Sequence, residues 1–112
     1  MDVQIKGVHI DVRDETRDFI DEKLEKISFA EDKIVSLDFT LTKEKQRFDV
    51  EAKIHFRWGL SAVIKEEAFD LHEALDRLID SVELKVRKEK SKIKDHKDHK
   101  DLNDIVEPDD GL

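Results

Sequence analysis

Between Leu84 and Lys94 the chain reads Leu-Lys-Val-Arg-Lys-Glu-Lys-Ser-Lys-Ile-Lys. Cations at this density neutralise phosphates and release their condensed counterions, which is the chemistry of polyanion binding. The charge is local. Residues 81–100 hold eight Lys and Arg against four Asp and Glu, whereas residues 1–80 hold thirteen against twenty and residues 101–112 hold none against five. The whole chain carries −8 at pH 7. A basic run on an acidic chain has two readings, an RNA-facing surface or a solvated charged helix, and the run alone leaves both open. At helical spacing Lys85, Lys88 and Lys92 fall on one flank of an apolar stripe, and Arg87, Lys90 and Lys94 fall on the other. Earlier in the chain Lys23 and Lys26 border a second stripe. There Glu22 and Lys26 are spaced i,i+4 for an ion pair worth roughly 0.2–0.5 kcal/mol, so structural use competes with ligand binding.

Other reactive residue types point to no catalytic chemistry. There is no cysteine, which excludes thiol catalysis, disulfides and cysteine-based zinc sites. His96 and His99 are three apart on a tandem Asp-His-Lys repeat, but no second ligand cluster accompanies them, and a solvated tail is the simpler reading. His55 falls on a polar strand face and His72 in the first turn of a helix, both structural positions. Trp58, beside Gly59, suits either stacking on a base or packing over a sheet edge. The Asp and Glu pairs follow from 29 acids in a short chain, and none has the apolar surroundings that raise a pKa for proton transfer. No Gly-rich phosphate loop and no triad are present. The expectation is a protein that is not an enzyme and has no cofactor, metal, small-molecule substrate or membrane partner. The absence of cysteine, of a spanning run and of a signal peptide fits the cytoplasm.

The elements that must carry these residues are legible from periodicity. A length of 112 residues suits one domain. Val3 and Ile5 alternate with polar residues, Gly7 interrupts, and Val8, Ile10 and Val12 resume, which reads as a strand kinked or bulged near the glycine. Asp14 suits an N-cap, and Ile20, Leu24 and Ile27 give an amphipathic helix over 15–28 whose outer face holds Asp18, Glu22 and Glu25. Three alternating runs follow: Val35 to Leu41, Phe48 to Phe56, and Leu60 to Ile64. They describe an antiparallel meander with turns at Lys43–Gln46 and Arg57–Gly59. Asp70 can cap a second helix, Glu73 can reach back to it, and Phe69 can staple onto Ala74. Leu71, Leu75, Leu78, Ile79, Val82 and Val86 make a stripe longer than the sheet, so the last turns should project into solvent. The order β-α-β-β-β-α predicts a two-layer α+β fold, a four-stranded sheet with two helices on one face, similar to a double-stranded RNA-binding domain with an extra N-terminal strand. Residues 1–95 are the expected domain, and 96–112 a charged, disordered tail.

Several segments together resemble the short ribosome hibernation promoting factors and their relative, ribosome-associated inhibitor A, also described as ribosomal subunit interface or sigma-54 modulation proteins. They are Ile5-x-Gly7, Lys23-Leu24-x-Lys26-Ile27, Asp32-Lys33-Ile34, Leu41-Thr42-Lys43-Glu44, Ala52-x-Ile54-His55 and Asp70-Leu71-His72-Glu73-Ala74-Leu75-Asp76-x-Leu78-Ile79-Asp80, followed by the basic run. The resemblance implies a domain that binds the small ribosomal subunit near its decoding region, occupies the messenger and transfer RNA path, and holds idle ribosomes inactive. It also implies a basic face of both helices against rRNA. By position that face takes in Lys23 and Lys26 on the first helix, and Lys85, Arg87, Lys88, Lys90 and Lys92 on the second. Three features depart from the family's pattern: the acidic first helix, Leu84 and Glu89 where members often carry Arg and His, and Asp70-Leu71-His72 for Asp-Met-Tyr. The acidic tail resembles that of the inhibitor branch, which opposes ribosome dimerisation. A generic duplex-RNA binder and a protein-docking module using the acidic first helix are the alternatives that the residues leave open.

Overall fold

The computed structural model of the chain describes residues 1–98, with side chains described as far as Ser91. Of the expected tail at 96–112, residues 96–98 continue α2, and those beyond Asp98, His99 included, lie outside the described residues. The elements are β1 (Asp2–Val8), α1 (Asp14–Lys23), a 3₁₀ segment (Leu24–Lys33), β2 (Ile34–Glu44), β3 (Arg47–Phe56), β4 (Ser61–Ala68) and α2 (Leu71–Asp98). The strands form one mixed sheet in the order β1-β2-β3-β4. The meander pairs antiparallel, with Phe39 opposite Ala52 and Ala52 opposite Ile64. β1 joins at the edge of β2 in parallel, Ile5 against Phe39. A parallel neighbour needs a crossover, and α1 with the 3₁₀ segment supplies it.

Strand alternation sorts the sheet into two faces. Leu37, Phe39, Leu41, Val50, Ala52, Ile54 and Phe56 turn inward and are buried. The helical layer answers with Ile20, Leu24, Ile27 and Ala30 on one side, and with Ala74, Leu75, Leu78, Ile79, Val82 and Val86 on the other. Burying each large aliphatic side chain of this kind contributes about 1.5–3 kcal/mol relative to leaving it exposed. α2 has 28 residues, about 42 Å of helix at 1.5 Å per residue. β4 has eight, about 27 Å. The helix therefore overruns the sheet, and its last buried apolar side chain is Val86 among the described residues.

Four local expectations before β2 are corrected. The first strand does not resume through Val12: it ends at Val8, and His9 turns the chain at φ 61°. Ile10 then folds back over Gly7, where a Cβ would overlap the Ile10 carbonyl oxygen and press on Val12 Cγ2 at 3.0 Å. Glycine serves close approach there, and no bulge is needed. The first helix is α-helical only to Lys23 and continues as 3₁₀. Its apolar spacing changes from four to three at that point, through Leu24, Ile27 and Ala30, and residues three apart share a face in a 3₁₀ helix. The segment breaks at Ala30 (φ −120°, ψ 18°) before β2 begins. Asp14 lies inside α1, with Arg13 at the cap position and making no side-chain bond. Its charge, with that of Glu15, still faces the positive end of the helix dipole.

At α2, by contrast, Asp70 Oδ2 accepts the Glu73 amide at 2.9 Å, the expected N-cap. Phe69 makes no staple: it is 78% exposed while Ala74 is fully buried. Glu73 turns forward to Arg77 at 2.7 Å instead of back to the cap. Two substitutions test these local readings by chemical denaturation. Gly7→Ala should lose about 1–3 kcal/mol by overpacking against Ile10. Asp70→Ala should lose about 1 kcal/mol with the cap. Unchanged stability in either variant would contradict the corresponding interaction.

Candidate nucleic-acid interface

Side-chain contacts fix how the two helices lie together. Thr16 and Phe19 meet His72: the Thr16 hydroxyl is 3.3 Å from His72 Nε2, and the Phe19 and His72 rings stack at 4.4 Å. Lys23 Nζ is 3.1 Å from Asp76 Oδ1. Lys26 donates to Asp80 Oδ1. Phe29 lies under the Arg87 guanidinium at 4.4 Å and the Lys90 ammonium at 5.2 Å. Position numbers rise together on both sides, so α1 with its 3₁₀ extension and α2 run side by side in the same direction. They share a seam that is polar at its solvent edge.

On α2 that seam is one flank of the helix: Asp76, Asp80, Glu83, Arg87 and Lys90, spaced four, three, four and three. Its sign reverses halfway. The first three residues are acidic and face Lys23 and Lys26. The last two are basic and gather on Phe29, an exposed ring that draws cations to its face. Arg87 is held a second time by Glu83, its Nη2 at 3.0 Å from Oε2 and its Nε donating at 3.1 Å. The hydrogen bond to Asp80 is the main reason that the Lys26 ammonium holds its proton above the ordinary lysine range. The Asp80, Asp76 and Glu83 charges add to it. Lys23 also lies 5.4 Å from the centre of the Phe19 ring.

The opposite flank of α2 carries Lys85 and Lys88. Lys85 reaches one turn on to Glu89 at 2.9 Å, and that carboxylate sits on the apolar stripe after Val82 and Val86 with its side chain only 7% exposed. Lys88 is exposed. Lys92 continues the same flank in sequence, and its side chain lies outside the described residues. Of the seven cations expected at an rRNA face, then, Lys23 and Lys26 line the seam, Arg87 and Lys90 converge at its end, and Lys85 and Lys88 stand across the helix from them. Sequence reasoning does not single out the carboxylate partners Asp76, Asp80 and Glu83, although their i,i+4 and i,i+3 spacing along one flank is a readable signal. It misses Phe29 because that residue lies just past the expected end of the first helix.

The remaining candidates have structural partners. Trp58 stacks on Phe56 at the end of the interior strand β3, at 5.0 Å with the rings 19° apart, so it packs within the fold but not over a sheet edge. His55 Nδ1 is 3.0 Å from the Ser61 hydroxyl on the outer sheet face. No group of three or more His, Asp or Glu able to hold a metal exists among the described residues. No described helix is long and apolar enough to cross a membrane.

Residues 3–94 match the family model described as Sigma 54 modulation protein / S30EA ribosomal protein. A ribosome hibernation promoting factor of Azotobacter vinelandii is 34% identical over 92 residues, which cover 82% of this chain and 85% of that one. The factor of the same name from Escherichia coli K12 is 28% identical over 96 residues, 86% of this chain and all of the relative. In fold, a ribosomal subunit interface protein from Coxiella burnetii superposes with a TM-score of 0.75 at 23% identity, over 81% of this chain and 99% of that one. The N-terminal domain of Thermus thermophilus Protein Y gives 0.71 at 24% identity, over 79% and 98%. The β-α-β-β-β-α order, the single four-stranded sheet and the match across nearly all of the described residues lead to one assignment: this chain belongs to the family of Sigma 54 modulation proteins and S30EA ribosomal proteins.

Proposed function

We propose that this chain is a cytoplasmic ribosome-binding translation inhibitor. It docks on the small subunit through rRNA phosphates, fills the messenger and transfer RNA path, and stabilises idle ribosomes without a catalytic step. The observation that carries this reading is the extent of the family match. Residues 3–94 take in both helices and every candidate cation: Lys23, Lys26, Lys85, Arg87, Lys88, Lys90 and Lys92. Relatives matched over the same region are named ribosome hibernation promoting factors.

The physics of the face is compatible with that role. Lysines without base-reading partners suit A-form RNA, which is contacted largely through phosphates and 2′-hydroxyls. α2 runs on past its last buried apolar side chain, Val86, and Lys88 and Lys90 are exposed there. At physiological salt the Debye length is about 8 Å, which confines the repulsion from the net charge of −8 and lets local patches decide close contact.

A protein-docking role has one observation in its favour. Asp18, Asp21, Glu22 and Glu25 are all exposed on the outer face of the first helical segment. It is separated from the first reading by co-sedimentation of the protein with 30S and 50S subunits across a salt series. Lys88→Glu with Lys92→Glu should cut 30S association at about 100 mM salt at least tenfold and flatten the salt slope by about 0.9 for each phosphate no longer neutralised. Lys85 is better neutralised as Lys85→Gln, because a reversed charge there would face the nearly buried Glu89 carboxylate. Association that survives the lysine changes and disappears in D18N/E22Q/E25Q would transfer the role to the acidic face. Equal affinity for a plain RNA duplex and for 30S subunits would reduce the protein to a generic duplex binder.

A further inference from the structure

Four of the candidate cations are engaged by carboxylates of the chain itself: Lys23 by Asp76, Lys26 by Asp80, Lys85 by Glu89 and Arg87 by Glu83. The last two are pairs within one helical turn of α2. The first two are different, because they cross from one helix to the other and lie side by side at the solvent edge of the seam.

These two pairs are not buried staples. The side chains are 30% and 45% exposed for Lys23 and Asp76, and 37% and 54% for Lys26 and Asp80. Ion pairs this wet contribute little to stability, and water replaces either partner cheaply. What they do alter is the field. A lysine beside a carboxylate presents a dipole, whose potential falls off faster than that of a single charge. Beyond a Debye length the pair attracts no polyanion. An approaching phosphate must displace the carboxylate, and the displaced carboxylate stays in the seam as a like charge beside the phosphate. Like charges at an interface suppress wrong partners more than they weaken the right one, provided that the right one makes enough other contacts. Downstream on the same flank, Lys90 on Phe29 offers those other contacts, together with the Arg87 guanidinium, which Glu83 holds through Nε and Nη2 within one helix and not across the seam.

We infer that Asp76 and Asp80 are specificity-determining residues: they occupy Lys23 and Lys26 so that plain RNA binds weakly, and only an RNA surface that also engages Arg87 and Lys90 displaces them. The inference rests on the rRNA-binding reading above, and it assigns the two acids a role opposite in sign to that of the lysines.

The test uses the full chain and its Asp76→Asn/Asp80→Asn variant. Binding of each to a fluorescein-labelled 16-base-pair RNA duplex is followed by anisotropy across a KCl series. A control variant, Glu51→Gln/Glu67→Gln, removes the same charge from two carboxylates that also pair with cations, Lys65 at 4.0 Å and Arg47 at 3.6 Å, on the opposite face of the sheet. The seam variant should bind the duplex about tenfold more tightly at 100 mM KCl, with a salt slope steeper by about 1.8, or 0.9 for each of two released cations. The control should change affinity by less than about threefold, since a distant charge is screened. An unchanged duplex affinity in the seam variant overturns the inference, as does an equal gain in the control. A fall in thermal stability with no change in affinity also overturns it, because the pairs would then serve the fold alone. Co-sedimentation with 30S subunits is run in parallel, and the seam variant should be retained at least as well as the native chain. Failure of both proteins to bind 30S subunits would sink the ribosome reading, while the duplex comparison would still decide the role of the two acids.

Discussion

The burial of one stripe on α2 governs the rest of this structure. Leu75, Leu78, Ile79, Val82 and Val86 have essentially no solvent exposure, and they pack against the inward residues of β3 and β4 and against the first helical segment. Once that stripe is fixed, the rotation of α2 about its axis is fixed, and both flanks follow. Asp76, Asp80, Glu83, Arg87 and Lys90 must then face α1 and its 3₁₀ extension. Arg77 and Ser81 must face β4, where they reach the Glu67 carbonyl at 3.5 Å and the Glu66 carboxylate at 3.3 Å. The disposition of charge on the surface is thus a consequence of apolar packing. A rotation of one residue would exchange seam and stripe and expose several large aliphatic groups, each at about 1.5–3 kcal/mol.

The same constraint explains why the first helix changes geometry. An α-helix continued past Lys23 would keep Ile27 in line with Ile20 and Leu24 but turn Ala30 about 60° beyond Ile27, because 3.6 residues per turn does not keep a three-residue spacing in line. Tightening to 3₁₀ keeps Leu24, Ile27 and Ala30 on one face and buried. It also carries Phe29 to the solvent side, beside Arg87 and Lys90. A packing requirement in the core therefore places an aromatic ring at the end of the polar seam.

Much of the fold was legible because its signals are local and periodic. The alternation in β2, β3 and β4, the Asp70 cap and the long α2 stripe each specify an element without reference to the others. The corrections come where a neighbour decides. Gly7 reads as a bulge residue in a strand pattern, but its role depends on Ile10 folding back over it. Phe69 has the right spacing for a staple, yet Ala74 faces the sheet and offers it no surface. The rotation of α2 was readable, and so were the cations on each flank. Their partners were not, because Lys23 and Asp76 are 53 residues apart in sequence and meet only through the packing of two helices. Sequence reading therefore finds the cations on each flank and misses their pairing across the seam.

That pairing bears on how an acidic chain and a basic segment coexist. Electrostatic attraction over long distances needs unpaired charge of one sign, and a net charge of −8 with paired seam lysines does not supply it. On the proposed rRNA-binding reading, recognition of the polyanion is settled at close range, where charge-assisted hydrogen bonds replace one acceptor with another. The exchange is nearly balanced for any single lysine, since a carboxylate and a phosphate oxygen are comparable partners. It becomes favourable only when several exchanges occur on one rigid ligand, whose loss of translational freedom is then met once for all of them. The helical pair, held in register from Thr16–His72 to Phe29–Arg87, provides the rigidity on the protein's side. Under that reading the surface discriminates by the shape of the phosphate array presented to it, because charge alone gives it little to gain.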